Sequence, residues 1–276
     1  MTAFELLQVF EDTQNIIKTT SSFNTQMITS QKESQLFLEG YIAPDRTMRG
    51  DGKIDVVKNT TFQCARELFS QFRKIAVLNF ANPHEPGGGV RRGAMAQEEC
   101  LCRCSTLYPV LAQPYFLKHF YQYHYQNCDY FFSDRLIYSP LVTVIKSDDS
   151  VPKLLESPFF VDVITCAAPY LSGGENKTNK ELMEIYKSRI INILEVAMSK
   201  GVDCLILGAF GCGAFHNDPK LMAKAFADVL IRKRYAGFFT KVVFAIKGSD
   251  DTDPNLKAFR EALCNISIKD RLRIFR

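Results

Sequence analysis

Two adjacent carboxylates, Glu98 and Glu99, follow a run of three glycines, Gly87-Gly88-Gly89, at a spacing that suggests chemistry on a sugar or a phosphate. Consecutive glycines let the backbone approach a ligand closely and gather several N–H groups into one concavity. The glutamates open the next predicted helix, where neighbouring side chains project about 100° apart. One can therefore transfer a proton while the other holds a substrate hydroxyl. Acidic residues in a first helical turn also complement the helix dipole, and glycines also make tight turns, so position alone does not decide. A helix N-terminus lowers a carboxyl pKa, whereas burial beside a bound pyrophosphate raises it toward what a general acid needs.

A second glycine-rich loop, Gly208-Ala-Phe-Gly-Cys-Gly213-Ala-Phe-His-Asn217, precedes Asp218 and Pro219, an expected N-cap and first helical residue. Glycine amides ahead of a helix N-terminus make an anion site. Gly208 and Gly213 have P-loop spacing, but Ala214 and Phe215 stand where Lys and Ser/Thr would reach phosphate and magnesium, so the ATPase reading fails. Phe215 is either core packing or a platform for a base. Cys212 lies among amides that would favour its thiolate, yet it has no base partner, and a small residue fitting the loop is expected. Cys100, Cys102 and Cys104 beside His84 invite zinc, but Cys102 points away from the other two on a helix. No metal is expected. The aromatic tract from Tyr115 to Phe132, with His119 and His124, could stack bases of a polymer; packing against the sheet is the expected use.

The elements that must position these loops alternate regularly. Leu6, Val9, Phe10, Ile16 and Ile17 predict an opening helix. Residues 18–36, rich in Ser, Thr and Gln, read as a connector, and 43–53 as a turn-rich loop. From Ile54 the order is strand IDVV, a helix near Thr61–Phe72, strand IAVLNF, the first loop, and a helix from about Gln97. After the irregular aromatic region come strands LIY, VTVI and FFVDVITCAA and a helix at about Lys180–Ser199. Strand CLILGAF, the second loop, a helix at about Pro219–Arg234, strand KVVFAI and a helix near Asn255–Cys264 complete the chain. This order predicts a three-layer α/β/α domain over 51–276 with a mixed, mostly parallel sheet, after a helical extension and connector at 1–50. Ligands in such sheets bind at the carboxyl ends of strands, where both loops fall.

The net charge of +4, from 34 basic and 30 acidic residues, is too small and too evenly spread to mark a nucleic-acid or anionic-membrane surface. The opening MTAFELLQVFED has no basic stretch, and the apolar runs fall short of the ~20 residues of a membrane span. Nine scattered cysteines then read as reduced thiols. A monomeric cytoplasmic protein, or a nuclear one in a eukaryote, is expected, with neither a membrane nor a nucleic-acid duplex as partner.

The pattern of three glycines, seven residues and Gln97-Glu98-Glu99 resembles the signature of the bacterial-type poly(ADP-ribose) glycohydrolases, which use a macrodomain fold. The flanks agree: VLNFA before the glycines, AQEECLCRCSTLYPVL after them, and a renewed likeness at Gly208–Asp218. The resemblance implies a macrodomain-like hydrolase, without metal or cofactor, that cleaves ribose–ribose O-glycosidic bonds of poly(ADP-ribose) on modified proteins and releases ADP-ribose. It implies Glu99 as the acid/base, Glu98 as the holder of ribose hydroxyls, and Asn79 or Asn82 on the distal-ribose side. Gly87, Gly88, Gly89, Val90 and Gln97 would bind ligand from the first loop. Gly211, Cys212, Gly213, Ala214, Phe215 and Asn217 would do so from the second, cradling the diphosphate, with Phe215 at the adenosine end. An oxocarbenium-like transition state is implied. Asn82-Pro-His-Glu and Val90-Arg91-Arg92 depart from the family's usual residues, which leaves polymer length preference and exo versus endo cleavage open. Two alternatives remain: hydrolysis of mono-ADP-ribose from protein or nucleic acid, and a non-catalytic ADP-ribose reader. Gln97-Glu98-Glu99 argues against the reader, which needs no carboxylate there.

Overall fold

The computed structural model describes residues 1–45, 47–48, 50–172 and 177–264. Among them, seven strands form one sheet: β1 Gln35–Phe37, β2 Lys53–Lys58, β3 Ile75–Phe80, β4 Leu136–Lys146, β5 Leu154–Cys166, β6 Cys204–Leu207 and β7 Lys241–Ile246. Their spatial order is β1-β4-β5-β3-β6-β7-β2. The five strands from β5 to β2 are parallel, and β4 and β1 add antiparallel pairs at one edge. The sheet is mixed and mostly parallel, as the sequence predicts.

The strands are apolar on both faces because both faces are covered. Ala76 and Leu78 of β3, with Leu205, Leu207 and Phe244 on neighbouring strands, pack on one side. That side is covered by α8 Asn179–Ser199, α9 Pro219–Ala227 and α10 Pro254–Leu263. The alternate residues Ile75, Val77, Ile206 and Val243 pack on the other. There they meet α3 Thr61–Leu68, α4 Gln97–Cys104, α5 Leu107–Leu111 and Phe10 of α1 Ala3–Thr19. The three-layer arrangement follows.

Three expectations need correction. Residues 18–36 are not a connector: they form α2 Ser21–Glu33 and edge strand β1. Apolar periodicity is missing from α2 because polar groups dock it. Thr143 donates to Gln26 Oε1 at 3.1 Å and Gln31 donates to the Pro109 carbonyl at 2.8 Å. LIY and VTVI are one strand, β4, with a bulge at Ser139–Val142, where Leu141 has φ +55° and its amide donates to Asp162 at 2.9 Å. The bulge absorbs Pro140, which broke the sequence pattern. The helices begun at Thr61 and Pro219 stop at Leu68 and Ala227, the latter continued by a π-type turn over Asp228–Arg232.

The aromatic tract is helical: α6 Pro114–Phe116, a π-type turn Leu117–Tyr121 and α7 Gln122–Asn127. Phe116, Phe120, Tyr121 and Phe131 are buried, so packing is its main use. No helix among the described residues is long and apolar enough to cross a membrane.

Candidate active site

The site is assembled where β3 hands over to α4. Gln97, the first residue of α4, locks the two together: its Oε1 accepts from the Phe80 amide at 2.9 Å, and its Nε2 donates to the Leu78 carbonyl at 2.8 Å and to Thr61 at 3.1 Å. This fixes the start of the helix that carries Glu98 and Glu99.

Both glutamates are buried, Glu98 2% and Glu99 8% exposed. Glu98 accepts from the Asn82 amide at 2.6 Å and from Asn79 Nδ2 at 3.2 Å. Glu99 accepts from the Gly89 amide at 2.8 Å and from the Ala96 amide at 3.0 Å, the second bond capping its own helix. The two carboxylates meet at Gly88, whose φ is +53°. A Cβ there would lie 2.5 Å from Glu99 Oε1 and 3.2 Å from Glu98 Oε2, so glycine is required both by conformation and by the close approach of the carboxylates.

The opening helix α1 braces this loop. Gly93, at φ +73°, backs directly onto the Ala3 carbonyl. Buried Arg103 donates to the carbonyls of Leu6 in α1 and of Ala94 just ahead of α4, while Thr13 of α1 donates to the Arg103 carbonyl at 2.7 Å.

Burial pushes the Glu98 carboxyl up to about 8, against the opposing hydrogen bonds from Asn82 and Asn79; the neighbouring Glu99 charge adds to the rise. Burial therefore favours the protonated form of Glu98.

Glu98 and Glu99 line a cleft of about 370 Å³, within the usual range of small-ligand sites. Its walls come from the carboxyl ends of all five parallel strands: Asn59 and Thr60 after β2, Phe80 and Asn82 at β3, Ala168 after β5, Ala209 and Gly211 after β6, Ile246 and Lys247 at β7. Gly213, Ala214 and Phe215 complete the second-loop side. Among the described residues, the Gly213, Ala214 and Phe215 amides donate to no acceptor in the chain, so they are free for an anion.

Of the residues singled out in the sequence, Asn82, Gln97, Glu98, Glu99, Gly211, Gly213, Ala214 and Phe215 lie in the wall. Gly87, Gly88, Gly89 and Val90 do not: they are buried behind the carboxylates. Asn79 is buried and touches Glu98 from beneath. Asn217 is buried and braces the second loop, donating to the carbonyls of Pro169 at 2.7 Å and Gly211 at 3.0 Å and accepting from Tyr186 at 2.7 Å. Cys212 also stands off the wall, and burial pushes its thiol up to about 12. Burial likewise raises Cys100, Cys102 and Cys104.

Sequence reasoning missed Asn59, Thr60, Asp148, Lys247 and Asn255, which also line the wall. Asp148, on the β4–β5 turn, is buried and caps α3 from a distance, accepting from Thr60 at 2.7 Å and the Phe62 amide at 2.8 Å. The signal for Asn59 and Lys247 was present: they directly follow IDVVK and KVVFAI, and the strand-end rule applies to those strands as well.

The sequence profile of the microbial-type PARG catalytic domain, PARG being poly(ADP-ribose) glycohydrolase, matches residues 3–147. No curated protein gives a significant sequence match. Among solved structures, the chain is similar to PARG from Thermomonospora curvata at 31% identity and a TM-score of 0.82, covering 94% of this chain and 100% of that one. It is similar to the same enzyme bound to the inhibitor ADP-HPD at 32% identity and a TM-score of 0.81, with 94% and 99% covered. PARG from Deinococcus radiodurans in complex with ADP-ribose matches at 32% identity and a TM-score of 0.78, with 87% and 98% covered. A profile match over more than half the chain and near-complete coverage of these structures agree with the paired glutamates at the strand ends: the chain belongs to the microbial-type poly(ADP-ribose) glycohydrolase family.

Proposed function

We propose that the cleft holds a terminal ADP-ribose unit and hydrolyses the ribose–ribose O-glycosidic bond joining it to poly(ADP-ribose). The observation that carries this reading is the meeting of two amide-held carboxylates in a cleft whose opposite wall is an open loop of unpaired amides. In this pose the distal ribose lies at Glu98 and Glu99, and the diphosphate lies against Gly213 and Ala214. The adenosine extends toward Asn59, Ile246, Lys247 and Asn255. Phe215 meets Tyr170 and, through Phe132, the first loop, which favours the sugar end of the ligand over the adenosine end for its ring.

Glu99, the more accessible carboxyl, protonates the leaving 2′-oxygen as the bond to C1″ breaks, then takes a proton from the water that attacks C1″. Positive charge develops at C1″ beside the bound diphosphate, which stabilises it. Glu98 holds hydroxyls of the scissile ribose. The macrodomain-like description, a modified protein as carrier of the polymer, a monomeric state and an intracellular setting belong to the same reading. The free cysteines are compatible with it.

A second assignment has one observation in its favour. The raised carboxyl of Glu98 favours the protonated form that a general acid needs. Asn79 Oδ1, buried without a partner, can accept a hydrogen bond from that protonated carboxyl if the amide turns over. Wild type, Glu99→Ala and Glu98→Gln incubated with polymer and with mono-ADP-ribosylated protein separate the cases. Free ADP-ribose from polymer with wild type but not Glu99→Ala supports the first assignment. Loss in Glu98→Gln with activity kept in Glu99→Ala exchanges the roles. Turnover of mono-modified substrate alone, or binding without turnover by wild type, overturns the polymer reading.

A further inference from the structure

The cleft continues into a row of aromatic rings that hydrolysis itself leaves unused. Phe215 of the wall lies 6.3 Å from Phe132, Phe132 lies 5.6 Å from His84, and His84 lies 5.6 Å from Tyr125, between ring centres. The two contacts of His84 are edge-to-face, at 87°, so each occupies one face of one ring of its pair. His84 is exposed and Tyr125 is 74% exposed.

The row is held in place. Phe132 has φ +53°, an unfavourable conformation for a bulky side chain. Both neighbours are tied down: the Phe131 amide donates to Asp129 at 2.8 Å, Arg189 donates to the Phe131 carbonyl at 2.9 Å, and the Ser133 hydroxyl pairs with His124 Nε2 at 2.9 Å.

The row also begins next to the chemistry. The Asn82 amide donates to Glu98, and the His84 amide donates to Asn82 Oδ1 at 2.8 Å, so His84 is two hydrogen bonds from the carboxyl that holds the scissile ribose. In poly(ADP-ribose) the oxygen released from the terminal ribose is the 2′-oxygen of an adenosine. The next adenine therefore hangs on the same sugar as the leaving oxygen, within one ribose of Glu98 and Glu99.

We propose that His84, Phe132 and Tyr125 form a stacking subsite for the adenine on the leaving side of the scissile bond. This rests on the poly(ADP-ribose) reading above. Stacking on aromatic faces suits a polymer that offers one purine per unit. Desolvation pulls the His84 pKa down, against the opposing charge of Glu85, which favours the uncharged ring. A single ADP-ribose on protein has no second adenine, so the subsite gives preference for polymer.

The test measures affinity in a Glu99→Gln background that leaves the polymer uncut. Calorimetric titration with free ADP-ribose and with a two-unit ADP-ribose oligomer is repeated after Tyr125→Ala, His84→Ala and Tyr125→Phe. The parent should bind the oligomer more tightly than ADP-ribose. Each alanine should weaken oligomer binding roughly five- to thirty-fold, the order of one lost base stack, and leave ADP-ribose binding unchanged. Tyr125→Phe should retain the parent affinity. Equal affinity of the parent for both ligands, a parallel loss for both, or no loss for either would overturn the subsite and leave the hydrolase reading standing. A parent that binds neither ligand would bring down both.

Discussion

The two glycine loops leave adjacent strands of one sheet, and each leads into a helix, but they do opposite work. In the first, Gly87, Gly88 and Gly89 are buried, and the Gly89 amide is already spent on Glu99. Its glycines let carboxylates approach the backbone. In the second, Gly213 and Ala214 are exposed, their amides are free, and Gly213 has open space where a Cβ would stand. Its glycines leave room for a ligand. Glycine content alone does not distinguish an anion cradle from a carboxylate clamp; the partners of the amides do.

Four substitutions probe this contrast. Gly88→Ala should have the largest effect: the new methyl group collides with Glu99 Oε1, the left-handed backbone disfavours alanine, and hydrolysis of polymer should fall at least ~10²-fold with about 1–3 kcal/mol of stability lost. An assay of ADP-ribose release with a thermal melt measures both. Asn217→Ala should come next. Removing the hydrogen bonds by which Asn217 braces the second loop should weaken ADP-ribose binding about tenfold and cost about 1–3 kcal/mol, while the pKa values read from pH–rate profiles stay in place. If kcat rather than affinity falls, the division of labour is wrong.

The third probe is pH. The Glu98 carboxyl is raised in the fold from an ordinary value of 4.5 to about 8. Its protonated form is therefore the one the fold favours, and that stabilisation is present below pH 4.5 and lost as pH rises through about 8. Buried Asp148 is shifted in the same direction. The informative quantity is thus the difference between wild type and Glu98→Gln: melting temperatures measured from pH 5 to 9 should fall more steeply for wild type. Parallel curves would contradict a protonated Glu98. Gly213→Ala should have the smallest effect. With ordinary φ and nothing within 4 Å, the change in stability should stay within about 0.5 kcal/mol.

The sequence made the centre of the fold legible. IAVLNF, CLILGAF and KVVFAI carry continuous apolar runs because both sheet faces are covered, and Asp218 with Pro219 opens α9 by accepting from the Lys220 amide at 2.8 Å. The glutamates were legible as a pair because they follow the glycines. Illegible parts share one cause, since their structure is imposed by distant polar partners. Gln26 and Gln31 dock α2 without an apolar stripe, Asp162 stabilises the bulge at Leu141, and Asp148 caps α3 from 86 residues away. Gln97 lies in the cleft wall, and its side chain also stitches α4 to β3, a role that depends on the Leu78 carbonyl and the Phe80 amide. Periodicity reports burial, not the partners of single polar atoms.

The central claim is that the first loop performs the chemistry and the second holds the ligand. It is tested most directly by measuring kcat on polymer and the Kd for ADP-ribose in Glu99→Gln. Glutamine preserves an acceptor for Gly89 and Ala96 but cannot cycle a proton. Glu99→Gln should lose at least ~10²-fold in kcat with the Kd for ADP-ribose close to that of wild type. A retained kcat, or a Kd that weakens in step with kcat, would contradict it.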